Sequence, residues 1–189
     1  MTVFHAPGKL FIAGEYAVLQ PGQPAVLMAV DRHATVTLTG TAGPVILTSD
    51  LSGGLTLRCE RVAGRLLAPE AGPDGAFARV LAAIDVMERL ADEQCRPARS
   101  FHLSVTTDLM AGDGRKLGLG SSAAVTVATC GALARFYGLR LSRMELYRLA
   151  MLASLAVAPA SSGGDVAASA LGGWVLYRSP RLTEDPAAG

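Results

Sequence analysis

Long apolar runs are missing from this 189-residue chain. The longest, Leu149 to Ala160, falls well short of the roughly 18 residues that a membrane-spanning helix needs. Met1 to Lys9 has no apolar core behind a basic start, so no secretory leader is expected. Cysteine is scarce: Cys59, Cys95 and Cys130 are odd in number, far apart and form no CxxC pair. That argues against a disulfide framework or a zinc site, and it fits a reducing cytoplasm. Charge of one sign is also lacking. The formal net charge is +1, and no basic run exceeds Arg96-Pro-Ala-Arg99. There is no electrostatic footprint for nucleic acid or for an anionic membrane. A small anionic substrate stays open, because a pocket needs only a few convergent cations.

Half of the residues are hydrophobic, ample for one packed domain. Thr35-Val-Thr-Leu-Thr39 alternates as a half-buried strand should, and Val45-Ile-Leu47 and Leu55-Thr-Leu57 are two further short strands. Asp74 is placed to cap a helix with Phe77, Val80, Leu81, Ile84, Met87 and Leu90 at helical spacing. Phe101-His-Leu-Ser-Val105 returns to strand alternation. An amphipathic helix carrying Val125, Val127, Leu133 and Phe136 follows Gly118 and Gly120 and stops at Gly138. A third helix opens on Ser142-Arg-Met-Glu145, a capping box. Trp174-Val-Leu-Tyr177 closes the pattern as a strand. Strands mixed with three helices predict an α+β domain. Met144, Met151 and Leu152 are expected in the core, and Trp174 in the core or covering a sheet edge. His5, His33 and His102 are isolated and read as ordinary strand or turn residues. Asp108, Asp113 and Arg115 read as solvated loop residues.

Three segments carry candidate chemistry. In Lys116-Leu-Gly-Leu-Gly-Ser-Ser-Ala-Ala124, Gly118 and Gly120 allow positive φ and close approach to a ligand. The Ser121, Ser122 and Ala123 that follow open a helix whose free N–H groups and dipole suit an anion. Hydroxyls there can meet phosphate or its magnesium ion, and Lys116 adds charge. The same residues also suit a plain glycine turn into a Ser-capped helix, and the spacing is not that of a Walker A loop. In Ala6-Pro-Gly-Lys-Leu-Phe-Ile-Ala-Gly-Glu-Tyr16, Lys9 is either an edge lysine in solvent or a charge held where burial is costly. In Ser161-Ser-Gly-Gly-Asp165, the aspartate is either a helix cap or a general base.

In order and spacing these segments resemble the superfamily of galactokinase, homoserine kinase, mevalonate kinase and phosphomevalonate kinase (GHMP) from residue 3 to about residue 179. The likeness implies the α+β fold of a GHMP kinase N-terminal domain, similar to ribosomal protein S5 domain 2. It implies ATP and Mg²⁺ as cofactors and a small phosphorylated acceptor as substrate, with neither nucleic acid nor membrane as partner. Lys9 and Asp165 would be catalytic. Lys116, Gly118, Leu119, Gly120, Ser121, Ser122 and Ala123 would cradle the nucleotide, Ser121 or Ser122 touching the metal. Lys9, Gly14, Glu15, Tyr16, Ser162 and Gly163 would face the acceptor, and Arg115 would lie near the nucleotide. Gly14-Glu-Tyr-Ala-Val18, Asp165-Val-Ala-Ala-Ser169 and Gly172-Gly-Trp-Val-Leu-Tyr177 look like the phosphomevalonate branch. Mevalonate kinase and a nucleotide-binding module without turnover are the alternatives. Two departures stand out. Mevalonate kinases place a metal-binding Glu eleven residues before the catalytic Asp, where this chain has Ser154. The family also continues past Gly189 into a C-terminal domain, so residues 1–189 alone are expected to be nearly inactive and to self-associate.

Overall fold

The computed structural model describes residues 1–50, 54–63, 65–67, 75–111 and 117–180. Seven strands form the sheet: β1 (Thr2–Ala13), β2 (Pro24–Gly40), β3 (Val45–Ser49), β4 (Leu55–Val62), β5 (Arg65–Leu67), β6 (Phe101–Thr107) and β7 (Trp174–Arg178). Among the described residues four α-helices pack with it: α1 (Ala78–Glu93), α2 (Ser121–Tyr137), α3 (Arg143–Val157) and α4 (Gly164–Leu171). The expected α+β class holds, with α4 as a helix beyond the expected three.

The strand order is β1-β2-β6-β3-β4-β5, with β7 also paired to β2. β2 has β1 along one side, and its other side is shared. Residues 24–28 pair with β7, and residues 34–40 pair with β6. Pairing is antiparallel except between β3 and β6. Ala34, Val36 and Leu38 alternate into a core that also holds Leu47, Leu103 and Val105. This is the period-two burial expected of a sheet with one covered face.

Helix α1 starts at Phe77, which is itself buried, with Val80, Ile84 and Met87 inward. No side chain caps it, and Asp74 lies outside the described residues. Helix α2 departs from expectation. Residues 123–134 are all buried, so it is a central helix rather than an amphipathic one. Its small residues make this possible. A Cβ on Gly131 would stand 2.6 Å from the Phe4 ring. Thr126 and Thr129 satisfy their hydroxyls on the carbonyls of Ser122 and Val125, four residues back. The helix does stop at Gly138, at φ 70°.

Other packing expectations divide. Met151 is buried, but Leu152 falls on the side of α3 opposite Leu146, Ala150 and Ala153, and Met144 sits in the first turn at the margin of the buried arc. Both are exposed. Trp174 is 67 % exposed, because Val175 and Tyr177 take the inward positions of β7 and the period of two turns Trp174 and Leu176 outward. Asp108 is exposed as expected, yet its carboxylate accepts the His33 backbone N–H. His5 and His102 meet Thr35 and Thr48 as ordinary strand partners. All three cysteines are free thiols. Burial raises Cys59 above its ordinary value and pushes Cys130 up to about 12.

The capping box of α3 forms. The Ser142 N–H donates to Glu145 Oε2 at 2.8 Å, and the Glu145 N–H donates back to Ser142 Oγ at 3.2 Å. The Ser142 hydroxyl, then its backbone N–H, hold the Glu145 carboxyl below the usual glutamate value. Ser142→Ala is expected to cost about 1 kcal/mol, read as a lower urea midpoint at unchanged slope. A folded-state value below the unfolded one gives stability that is present above the ordinary glutamate value and lost as pH falls through the folded one. The Ser142→Ala penalty should therefore shrink on acidification below about pH 4.

Candidate active site

The site begins with a fault in the β1–β2 ladder. Pro7 pairs with His33, but Lys9 pairs with Ala29, so the register slips at Gly8. Such bulges re-aim a side chain. Here the Lys9 N–H leaves the ladder and donates to the Leu119 carbonyl at 2.7 Å. The two backbones come so close that a Cβ on Gly8 would lie 2.7 Å from the Leu119 oxygen. The Lys9 ammonium donates to the Gly118 carbonyl at 3.2 Å and sits 4.7 Å from the centre of the Phe11 ring. Lys9 lies on the edge strand of the sheet, and its ammonium is tied to the loop rather than left without a partner.

Gly120 is the N-cap of α2 at φ 74°, ψ 33°, a left-handed conformation that few other residues adopt. The first intrahelical bond runs from the Ala124 N–H to the Gly120 carbonyl at 3.0 Å. The N–H groups of Ser121, Ser122 and Ala123 therefore precede the helix's own hydrogen bonding, and no side chain caps them. With the helix dipole they make an electropositive end.

Helix α4 brings the third segment. Gly163, not Asp165, is its N-cap, and Asp165 is its second residue. The Tyr177 hydroxyl fastens this entry by donating to the Ser162 carbonyl at 2.5 Å. Burial, with Tyr147 beside it, pushes that phenol well above its ordinary value, so it stays a neutral donor. Val166, Ala167 and Ala168 pack inward, Ala167 and Ala168 against Leu27 and Val175. Asp165 Oδ1 accepts the Val166 N–H at 2.9 Å, and Oδ2 has no partner among the described residues.

These pieces meet around one cleft of about 270 Å³, lined by Lys9, Leu109, residues 117–122 and Asp165. Of the expected site residues, Lys9, Gly118, Leu119, Gly120, Ser121, Ser122 and Asp165 are brought together. Ala123 follows on in α2 with its side chain buried. Lys116, with Asp113 and Arg115, lies outside the described residues. Gly14, Glu15 and Tyr16 do not line the cleft. They form the turn beyond β1, and Tyr16 is 82 % exposed. Ser162 and Gly163 shape the entry to α4 without lining the cleft. A larger cavity of about 850 Å³ between β5 and α1 shares no described residue with this cleft, and its described lining includes no glycine and no helix start. Of the two, the smaller cleft is the one that joins a lysine and a carboxylate to a glycine loop and a helix start.

Arg79 also lines the cleft, and none of the three sequence segments contains it. It is the second residue of α1, and its Nη1 donates to the buried Ser154 hydroxyl at 3.4 Å. One signal was available. A cation in the first turn of a helix opposes the dipole and wants a reason.

Chemically the cleft offers two cations, one carboxylate and a helix start, an arrangement that holds polyanions. Magnesium prefers hard oxygen donors and usually keeps waters and substrate phosphates among its ligands. The hydroxyls of Ser121 and Ser122 are donors of that kind. No cluster of three or more His, Cys, Asp or Glu occurs among the described residues. Among the described residues no helix is long and apolar enough to cross a membrane.

Residues 78–173 match the family model of the GHMP kinases N terminal domain. The chain is 49% identical over 187 residues to a phosphomevalonate kinase of Streptomyces sp. (strain CL190), covering 94% of this chain and 50% of that one. It is 31% identical to a mevalonate kinase of Pyrococcus horikoshii, covering 96% and 52% respectively. Among solved structures it superposes with TM-score 0.80 on Streptococcus pneumoniae phosphomevalonate kinase in complex with phosphomevalonate and AMPPNP, at 27% identity, over 95% of this chain and 50% of that one. The chain spans about half the length of the curated relatives it matches. It belongs to the GHMP kinases, within their N-terminal domain.

Proposed function

We propose that this chain is the nucleotide-handling part of a kinase that moves the γ-phosphoryl group of ATP onto phosphomevalonate, giving diphosphomevalonate on the mevalonate route to isoprenoids. The observation that carries the reading is the convergence of Lys9 and Asp165 on the glycine loop, in a chain 49% identical to a phosphomevalonate kinase. The free thiols fit a cytoplasmic setting.

Phosphoryl transfer asks for positioning and charge neutralisation more than for covalent chemistry. The loop from Gly118 to Ser122 and the N–H groups opening α2 hold the nucleotide phosphates. Lys9, fixed at both its N–H and its ammonium to that loop, neutralises charge where donor and acceptor meet. Asp165 holds the attacking oxygen of the acceptor phosphate in line and takes the proton that a phosphate monoester still partly carries near neutral pH. Mg²⁺ bound to the nucleotide would offset phosphate charge, with Ser121 and Ser122 as its protein contacts.

The test is an ADP-release assay on the intact enzyme with a panel of acceptors. A kcat/KM for phosphomevalonate about 10²-fold or more above that for mevalonate is expected, since a site built for a charged group strongly disfavours a substrate lacking it. A preference for mevalonate would transfer the chain to the mevalonate kinase branch, and MgATP binding without turnover on any acceptor would leave only a binding module.

A further inference from the structure

We propose that Arg79 is a catalytic residue whose guanidinium grips the transferring phosphoryl group, an inference that rests on the kinase reading of the cleft. Arg79 stands in the cleft wall with Lys9, Ser122 and Asp165, so its reach is to the same small volume in which the reaction is placed. Its placement against the helix dipole is one that a bound anion favours. It lies in the first turn of α1, against the positive end of that helix, and it is only partly exposed. Two ion pairs occur among the described residues, and Arg79 belongs to neither. Its one hydrogen bond there is the 3.4 Å contact from Nη1 to Ser154 Oγ.

That contact leaves the rest of the guanidinium fork available. Ser154 is 2 % exposed and sits on α3, so it is a fixed anchor rather than a competing ligand. A neutral hydroxyl orients the guanidinium without cancelling its charge, whereas a carboxylate at the same place would have neutralised it. A planar fork with several N–H groups matches two oxygens of a phosphoryl group at once. Charge on the equatorial oxygens of the transferring group is the quantity such a fork stabilises in the transition state. Lys9, tied to the Gly118 carbonyl, supplies a point charge from the β1 side, and Arg79 supplies the fork from the α1 side.

The test is a kinetic series in the intact enzyme, using whichever acceptor the wild type turns over, so that a wrong acceptor assignment fails separately in the substrate panel. Arg79→Ala and Arg79→Gln should lower kcat by about 10²-fold or more, with both KM values and the calorimetric MgATP affinity within about threefold of wild type. Arg79→Lys should recover at least about tenfold of that loss, because charge returns without the fork. Ser154→Ala should lower kcat by about three- to tenfold while MgATP affinity holds, since the guanidinium loses its orientation but not its charge. The assignment is overturned by kcat within about threefold of wild type in Arg79→Ala. It is equally overturned by a loss confined to acceptor KM, or by Arg79→Lys no better than alanine together with a lowered melting temperature.

Discussion

Asp165→Asn in the intact enzyme is expected to lower kcat by about 10²-fold or more while MgATP binds with near wild-type affinity. The substitution isolates chemistry from structure. Asp165 is not the cap of α4, a place Gly163 holds at φ 79°. The one hydrogen bond recorded for its carboxylate, from the Val166 N–H, can be accepted equally by a carboxamide oxygen. The packing of Val166, Ala167 and Ala168 is untouched. What disappears is the negative charge and the ability to take a proton. Because a phosphate monoester is more fully protonated at lower pH, the deficit should deepen as pH falls toward 6. Activity within about threefold of wild type would reduce Asp165 to a local helix-end residue and remove the proposed base.

Gly120→Val should abolish measurable MgATP binding, a loss of at least about 10²-fold in affinity. The residue sits at φ 74°, a region a β-branched side chain scarcely enters, and a Cβ there would lie 2.9 Å from Lys9 Cγ. Both effects fall on the same volume. Relaxing φ moves the loop carbonyls and the first N–H groups of α2, and relieving the contact pushes Lys9 off the Gly118 carbonyl. The core beneath need not unfold, because Ala124, Val127, Ala128 and Leu133 keep their places in the buried helix. Calorimetry on a variant that still melts cooperatively gives the answer. Unchanged MgATP affinity there would mean that the glycine loop does not hold phosphate.

Local chemistry is what the amino-acid order displays best. The stop at Gly138 and the Ser142–Glu145 box each depend on residues within one turn of one another, so they are readable without knowing the fold. The same holds for the alternation of residues 34–38. The glycine loop is legible for the same reason, and with it Gly118, Gly120, Ser121 and Ser122. What escapes is set by partners distant in sequence. Helix α2 looks amphipathic if only its large apolar residues are counted. Its burial comes instead from alanine, glycine and threonine, which admit β1 and β2 on one side and the other helices on the rest. Arg79 carries only the faint mark of a cation in a helix's first turn until α3 places Ser154 under it. Gly14, Glu15 and Tyr16 adjoin the Lys9 strand in sequence, but β1 is long enough to carry them beyond the cleft lining.

The divided second side of β2 has a consequence for how this molecule is made. Pro24 to Met28 find their partners in residues 174–178, at the far end of the described chain, whereas residues 34–40 find theirs in β6. At a synthesis rate of roughly 5–20 residues per second, the first half of β2 waits roughly seven to thirty seconds for β7 to be made. During that interval an open strand edge is exposed, the kind of surface on which nascent chains mispair. Helix α4, which carries Asp165, directly precedes β7 and packs against it. The event that closes the edge is thus also the one that delivers the carboxylate. A nascent chain can complete the Lys9 and glycine-loop wall early, but the acidic side of the cleft waits for the closing of the sheet.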